Sequence, residues 1–188
     1  MARGKLVVIS APSGAGKTTI ARAILEVHPT LRFSVSATTR PVREGEREGR
    51  DYFFLTKEEF RRRIDAGDFV EWEEIYGNYY GTLRQEVDRA LEGGLHILFD
   101  IDVKGGLSIR RRYPESLLIF IRPPSLQILR KRLRNRKTES NGAVSERMKR
   151  VPLEMQLGAA FDHQVVNDDL PRAIAEVNRI VSSYLQAN

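Results

Sequence analysis

Leu6-Val7-Val8-Ile9-Ser10 runs directly into Ala11-Pro12-Ser13-Gly14-Ala15-Gly16-Lys17-Thr18. An apolar run, a glycine-bearing turn and Gly-Lys-Thr at the head of a helical pattern make a device for holding phosphates. The turn aims its N–H groups inward, the helix behind it adds its dipole, the lysine ammonium reaches β- and γ-phosphates, and the threonine hydroxyl can ligate Mg²⁺. Such loops usually begin with glycine. Ala11 stands there instead, a small departure because alanine tolerates most turn conformations other than positive φ. The plain alternative is a strand-to-helix turn that binds nothing, and the strand–loop–helix context argues against it. Asp100 closes a second apolar run, His96-Ile97-Leu98-Phe99. Alone it would read as a cap or turn residue; beside a phosphate loop it reads as the carboxylate that orients Mg²⁺ directly or through water.

These residues need strand ends and helix starts to carry them, and the chain supplies both. Short apolar runs alternate with helical stretches, the pattern of an α/β fold with a parallel sheet. Strands are expected at Leu6–Ser10, Phe33–Ser36, His96–Ile101, Leu117–Ile121 and Gln164–Val166. Helices are expected at Lys17–Val27, Leu83–Glu92, Lys104–Arg112, after a Ser125 cap to about Leu133, around Ser145–Leu157 and at Pro171 to about Leu185. Between Thr39 and Tyr80 the pattern changes. A charged, glycine-rich loop leads to a strand at Asp51–Leu55, a helix capped by Thr56 with Glu59 three residues on, and a hairpin of Phe69–Ile75 and Tyr79–Gly81 around Gly77-Asn78. This block reads as an antiparallel insertion in an otherwise parallel fold. The polar stretch Arg134–Val144 reads as a mobile segment.

The 188 residues suit one domain with a core that needs no staples, and no apolar run approaches the roughly 18 residues of a membrane span. The opening segment is too short for a signal-peptide core, so a cytoplasmic address is expected. Cysteine is absent, which excludes disulfides, thiolate metal sites and cysteine nucleophiles, and His28, His96 and His163 stand too far apart for a ligand set. The net charge of +6 raises nucleic acid as a partner. The excess is local, however. One arginine cluster lies at Arg40, Arg43, Arg47 and Arg50, and another spans Arg130–Arg150, with no stacking aromatics interleaved in Arg130–Lys137. Small, highly charged substrates suit two such clusters better than a polymer, and neither nucleic acid nor membrane is expected as a partner.

Five ordered blocks narrow the class. They are Ser34–Glu46, Gly49-Arg50-Asp51-Tyr52, Phe69-Val70-Glu71-Trp72, Gly77-Asn78-Tyr79-Tyr80-Gly81-Thr82 and Asp100-Ile101-Asp102, and with the phosphate loop and Val166–Leu170 they resemble guanylate kinase nearly end to end. The resemblance implies a three-layer α/β P-loop nucleoside monophosphate kinase fold with a parallel core sheet. The core would comprise 1–36, 83–131 and 148–188, with a GMP-binding insertion at 37–82 and a mobile lid at 132–147. It implies Mg²⁺-dependent phosphoryl transfer from ATP to GMP, with dGMP left open as a second acceptor. The residues matching Ser36, Arg40, Arg43, Tyr52 and Tyr80 would hold the GMP phosphate, those matching Glu71, Thr82 and Asp102 would read guanine, and Asn167 would lie near adenine. Arg132, Arg136 and Arg147 match the lid arginines that close over ATP, while Arg130, Lys131, Arg134 and Lys149 read as solvated charge. Two other readings stand beside this one. One is another small-phosphate kinase on the same fold, which should lack Glu71 and Asp102. The other is a protein-binding module derived from the family, which usually lacks the lysine that Lys17 supplies.

Overall fold

The structure, a computed structural model, describes residues 3–75, 77–134 and 141–187. In chain order the first half contains β1 (Leu6–Ser10), α1 (Lys17–Val27), β2 (Leu31–Phe33), β3 (Ser36–Thr38), β4 (Tyr52–Phe54), α2 (Lys57–Asp65), β5 (Phe69–Ile75) and β6 (Asn78–Leu83). The second half contains α3 (Arg84–Glu92), β7 (His96–Asp100), α4 (Val103–Arg112), β8 (Leu117–Arg122), α5 (Leu126–Arg134), α6 (Asn141–Gly158), β9 (His163–Val166) and α7 (Leu170–Gln186).

Strands β2-β7-β1-β8-β9, in that order, form a sheet whose neighbours are all parallel. Every residue of β1 is buried, as expected of a strand covered on both faces. Its side chains alternate between two cores. Val7 and Ile9 pack with Ile20, Ile24, Val177 and Val181 of α1 and α7, whereas Leu6 and Val8 pack with Val87, Leu91 and Ile109 of α3 and α4. The result is three layers, with helices on both faces of the sheet. Among the described residues no helix is long and apolar enough to cross a membrane.

The block between β2 and α3 builds a second sheet, ordered β4-β3-β6-β5. It is mixed rather than wholly antiparallel: β6 runs antiparallel to both β3 and β5, but β3 and β4 are parallel. The strand expected at Phe33–Ser36 divides at that point. The first sheet keeps Leu31–Phe33 and, through Ser34 N–H to Leu98 O (2.9 Å), one residue more, while Ser36 begins the second sheet. Helix α2 covers this sheet by stacking Phe60 on Phe69 and Tyr79, with ring centroids 4.3 and 5.3 Å apart. Thr56 caps α2 by accepting from Glu59 N–H at 3.1 Å, while the Glu59 carboxylate pairs with Arg63 instead of returning to the cap.

Helix α6 begins at Asn141, four residues before the expected start, so the end of the stretch expected to be mobile is helical. At the other end of that stretch Arg134 is the last residue of α5, and 135–140, which include Arg136, lie outside the described residues.

Candidate active site

The loop after β1 opens at the carboxyl end of the parallel sheet, between the ends of β7 and β8, where ligands gather in folds of this kind. Two of its glycines are required by geometry. Gly14 and Gly16 have φ of 89° and 99°, and a Cβ on Gly16 would lie 2.3 Å from the amide nitrogen of Asn167. Gly16 is also the residue before α1 and offers no side chain to cap it, so the N–H groups of the first turn are left for a ligand. Ala11 and Ala15 are buried, with Ala15 N–H closing the turn onto Pro12 O at 3.0 Å.

Asp100, at the end of β7, gathers the chemistry of the loop. Its Oδ1 lies 2.7 Å from Lys17 Nζ, and its Oδ2 accepts from the Thr18 hydroxyl at 2.8 Å. Lys17 also donates to Ile101 O at 3.1 Å. A hydroxyl and a carboxylate side by side at a phosphate loop are hard oxygen donors suited to Mg²⁺, which keeps several waters and takes few protein ligands. Among the described residues no group of three or more His, Asp or Glu converges as a closed metal cage.

Two clefts meet here. One, about 410 Å³, is lined by the loop together with Arg43, Arg147 and Arg150. The other, about 160 Å³, is lined by Ser36, Tyr52, Glu71, Glu73 and Asp100. Lys17, Ile75, Tyr80 and Asp102 line both. A larger cleft of about 890 Å³ lies around Lys5, Asp88 and Tyr113, and no part of the phosphate loop lines it.

Within the smaller cleft Tyr52 and Tyr80 meet edge to face, with ring centroids 6.3 Å apart, and burial raises the Tyr52 phenol above its usual range. Arg40 stands behind them, buried, its guanidinium 4.9 Å from the Tyr52 ring and gripped by Glu46. Glu71 is pushed up to about 7, chiefly by burial and further by the charge of Asp102; the bond it accepts from Thr82 works the other way. Thr82 is buried behind Glu71 and donates its hydroxyl to Oε1 at 2.6 Å. Asp102 is the N-cap of α4, its Oδ1 accepting from Gly105 N–H at 2.7 Å. Glu73 is raised by burial and by the facing Asp102, which together outweigh the ion pair with Arg150 at 2.9 Å.

The remaining arginines reach the loop from the other side. Arg147 donates to Ser13 Oγ at 2.6 Å, and Arg132 donates to Asn167 O at 3.0 Å. Asn167 is buried and donates to Ala15 O at 2.8 Å, buttressing the loop. Arg130, Lys131, Arg134 and Lys149 are exposed. The sequence reading passed over Glu73, Arg150, Glu154 and Gly105. A Cβ on Gly105 would fall 2.9 Å from Glu71 Oε2 and 3.1 Å from Asp102 Oδ1, so glycine leaves room for two carboxylates. Its signal was present, since glycine inside a helix costs stability unless something needs the space.

A family model described as guanylate kinase matches residues 3–184. Curated relatives bearing that name include one from Salinibacter ruber, 49% identical over 184 residues that cover 97% of each chain. Another, from Symbiobacterium thermophilum, is 48% identical over 179 residues, 95% of this chain and 85% of the relative. The crystal structure of guanylate kinase from Anaplasma phagocytophilum superposes with a TM-score of 0.78 at 31% identity, covering 100% of this chain and 89% of that one.

Proposed function

The chain belongs to the guanylate kinase family, and from that premise we propose the part each residue of the two clefts takes in its reaction. The fold is the P-loop nucleoside monophosphate kinase fold, and the activity is transfer of a phosphoryl group from ATP to GMP. The observation that carries the assignment of roles is the shared lining: Lys17 and Tyr80 border the phosphate-loop cleft and the Glu71 cleft alike. A donor phosphate held by the loop and an acceptor phosphate beside Tyr52 and Tyr80 would meet at that border.

In this reading residues 11–18 hold the ATP phosphates, with Lys17 countering charge on the β- and γ-groups and Asn167 near the adenine. Thr18 and Asp100 would hold a Mg²⁺ ion, which when bound neutralises charge on the phosphates. Ser36, Arg40, Arg43, Tyr52 and Tyr80 take the GMP phosphate, two guanidiniums meeting a dianion by charge-assisted bonds. Glu71, supported by Thr82 and joined by Asp102, accepts from the adjacent N1–H and N2–H donors of guanine. Adenine has no such pair and would leave the carboxylates unsatisfied, a mismatch worth about 10⁴ in discrimination at polar sites. The insertion 37–82, which carries all of the second sheet except its first and last residues, Ser36 and Leu83, is then the GMP-binding region on the core of 1–36, 83–131 and 148–188, and 132–147 acts as the lid. The attacking oxygen belongs to an acceptor phosphate that is already an anion, so no general base is required. Positioning and cancellation of charge by Lys17, Arg132, Arg136 and Arg147 do most of the work.

A coupled assay of ADP formation from ATP against GMP, AMP, CMP and UMP tests the reading. GMP is expected to lead by at least about 10³ in kcat/KM; comparable turnover of AMP would remove Glu71 and Asp102 from the base site.

A further inference from the structure

Carboxylates from three elements converge on one guanidinium beside the proposed base-reading residues. Arg150, on α6, places Nη2 2.9 Å from Glu73 Oε1 on β5 and 3.8 Å from Asp102 Oδ2 at the head of α4. Its Nε lies 3.8 Å from Glu154, one turn along its own helix. Lys104, at 3.9 Å from Glu73, reaches the cluster with a side chain that is 57% exposed, against 35% for Arg150. Asp102 Oδ1 is already fixed by the helix cap, whereas Oδ2 is buried and makes no hydrogen bond. Its direction is therefore set by what surrounds it, namely Arg150 and the facing Glu73.

We propose that Arg150 and Glu73 are positioning residues for Asp102, holding Oδ2 in the direction from which it meets guanine. This rests on the reading of Asp102 as a base-reading carboxylate. The physical case is one of charge. Glu71, Glu73 and Asp102 line a single small cleft, and with one cation removed such carboxyl groups repel or take up a proton between them, and either response turns Oδ2 of Asp102 from its present direction. Arg150 draws Glu73 to itself and leaves Asp102 at a longer distance, attracted but uncommitted. It also ties the cluster to the donor side. Arg147, one turn earlier on α6, bonds Ser13 of the phosphate loop, so one helix touches both halves of the site.

The test measures steady-state kinetics for GMP and IMP, which lacks the 2-amino group, alongside thermal melting. In Arg150→Met the KM for GMP is expected to rise about tenfold and the preference for GMP over IMP to shrink by a similar factor, the size of one charged hydrogen bond. The KM for ATP should move far less than the KM for GMP, and the melting temperature should fall as Glu73, Asp102 and Glu154 lose their shared cation. Adding Glu73→Gln to Arg150→Met should restore part of the preference, because the glutamine amide can donate to Asp102 Oδ2. Arg150→Gln gives the same readout if the methionine variant does not fold. An unchanged GMP-to-IMP ratio in the Arg150 variants, or a loss confined to melting temperature, overturns the proposal. Asp102→Asn separates the two levels. If it narrows the ratio while the Arg150 variants do not, only the positioning role falls. If it too leaves the ratio unchanged, Asp102 does not read the base and the proposal falls with that reading.

Discussion

Glu46 holds the guanidinium of Arg40 with both oxygens, Nη2 to Oε1 at 2.6 Å and Nη1 to Oε2 at 2.8 Å. Arg40 is buried, so the fork fixes its plane before any phosphate arrives. The pairing also raises the guanidinium further and pulls Glu46 down to about 2, with the Arg43 N–H as the second cause.

A depressed carboxyl contributes stability that is complete above its unfolded value, near 4.5, and is lost as pH falls through about 2. Glu46→Gln should therefore be less stable than the parent at pH 7, with the gap closing between pH 4.5 and 2. Urea midpoints across that range measure it; a gap of constant size would place its origin elsewhere. The KM for GMP should rise about three- to tenfold as Arg40 loses its fixed plane.

Glu71 titrates in the opposite sense. The unfolded chain ionises this residue near 4.5, but the folded chain keeps its proton to about 7, so its contribution to stability falls as pH rises between those values. Glu71→Gln removes that penalty. Relative to the parent it should gain up to roughly 3 kcal/mol between pH 5 and 8 while losing about 30- to 100-fold in kcat/KM for GMP. In the parent, GMP affinity should strengthen through pH 7 as the carboxylate forms, and calorimetric titrations at pH 6 and 8 would show it. A flat profile in the parent would mean that guanine does not meet an ionised Glu71.

Gly105→Ala sets helix propensity against the site. Alanine is favoured in a helix by about 1 kcal/mol, and its Cβ would press on the carboxylate end of Glu71 and crowd Asp102 Oδ1. The melting temperature should hold or rise while the KM for GMP climbs about tenfold, and the KM for ATP should not move. Equal changes in both constants would point to a general distortion of α4.

Lys17 of the phosphate loop and Arg147 of α6 should separate in kinetics. Lys17→Ala is expected to lower kcat by at least about 10², with an unaltered circular dichroism spectrum. Arg147→Ala, which loses the contact to Ser13, should lower kcat far more than it weakens GMP binding, because its charge is needed most as the phosphoryl group moves. Weakened GMP binding at unchanged kcat would assign Arg147 to the acceptor side.

The phosphate loop was legible because everything it needs is contiguous: strand, turn and helix start within thirteen residues of chain, Leu6 to Thr18. The division at Phe33 and Ser36 was not, since it depends on which distant strand each residue pairs with, β7 or β4 and β6. The parallel pairing of β3 with β4 was hidden for the same reason. The start of α6 was hidden because Asn141-Gly142 carries a turn signature and Ala143-Val144 is too short to show an apolar period. Arg150 sat within a basic run, where solvated charge is the ordinary outcome, and only the fold brings it to Glu73 and Asp102.

Asp102 answers to two demands at once, as the cap of α4 and as a carboxylate in the smaller cleft. With Asp102 in its proposed part as a reader of guanine, that double duty constrains how such a scaffold could drift toward another base. Replacements that abandon the cap would loosen the helix before any new preference could be selected, at a cost of about 1 kcal/mol. The routes left open pass through Asn, Ser or Thr, which still cap but carry no charge. Broadened base choice at this position would thus arise through neutral side chains first, with a transient loss of discrimination before any new one is gained.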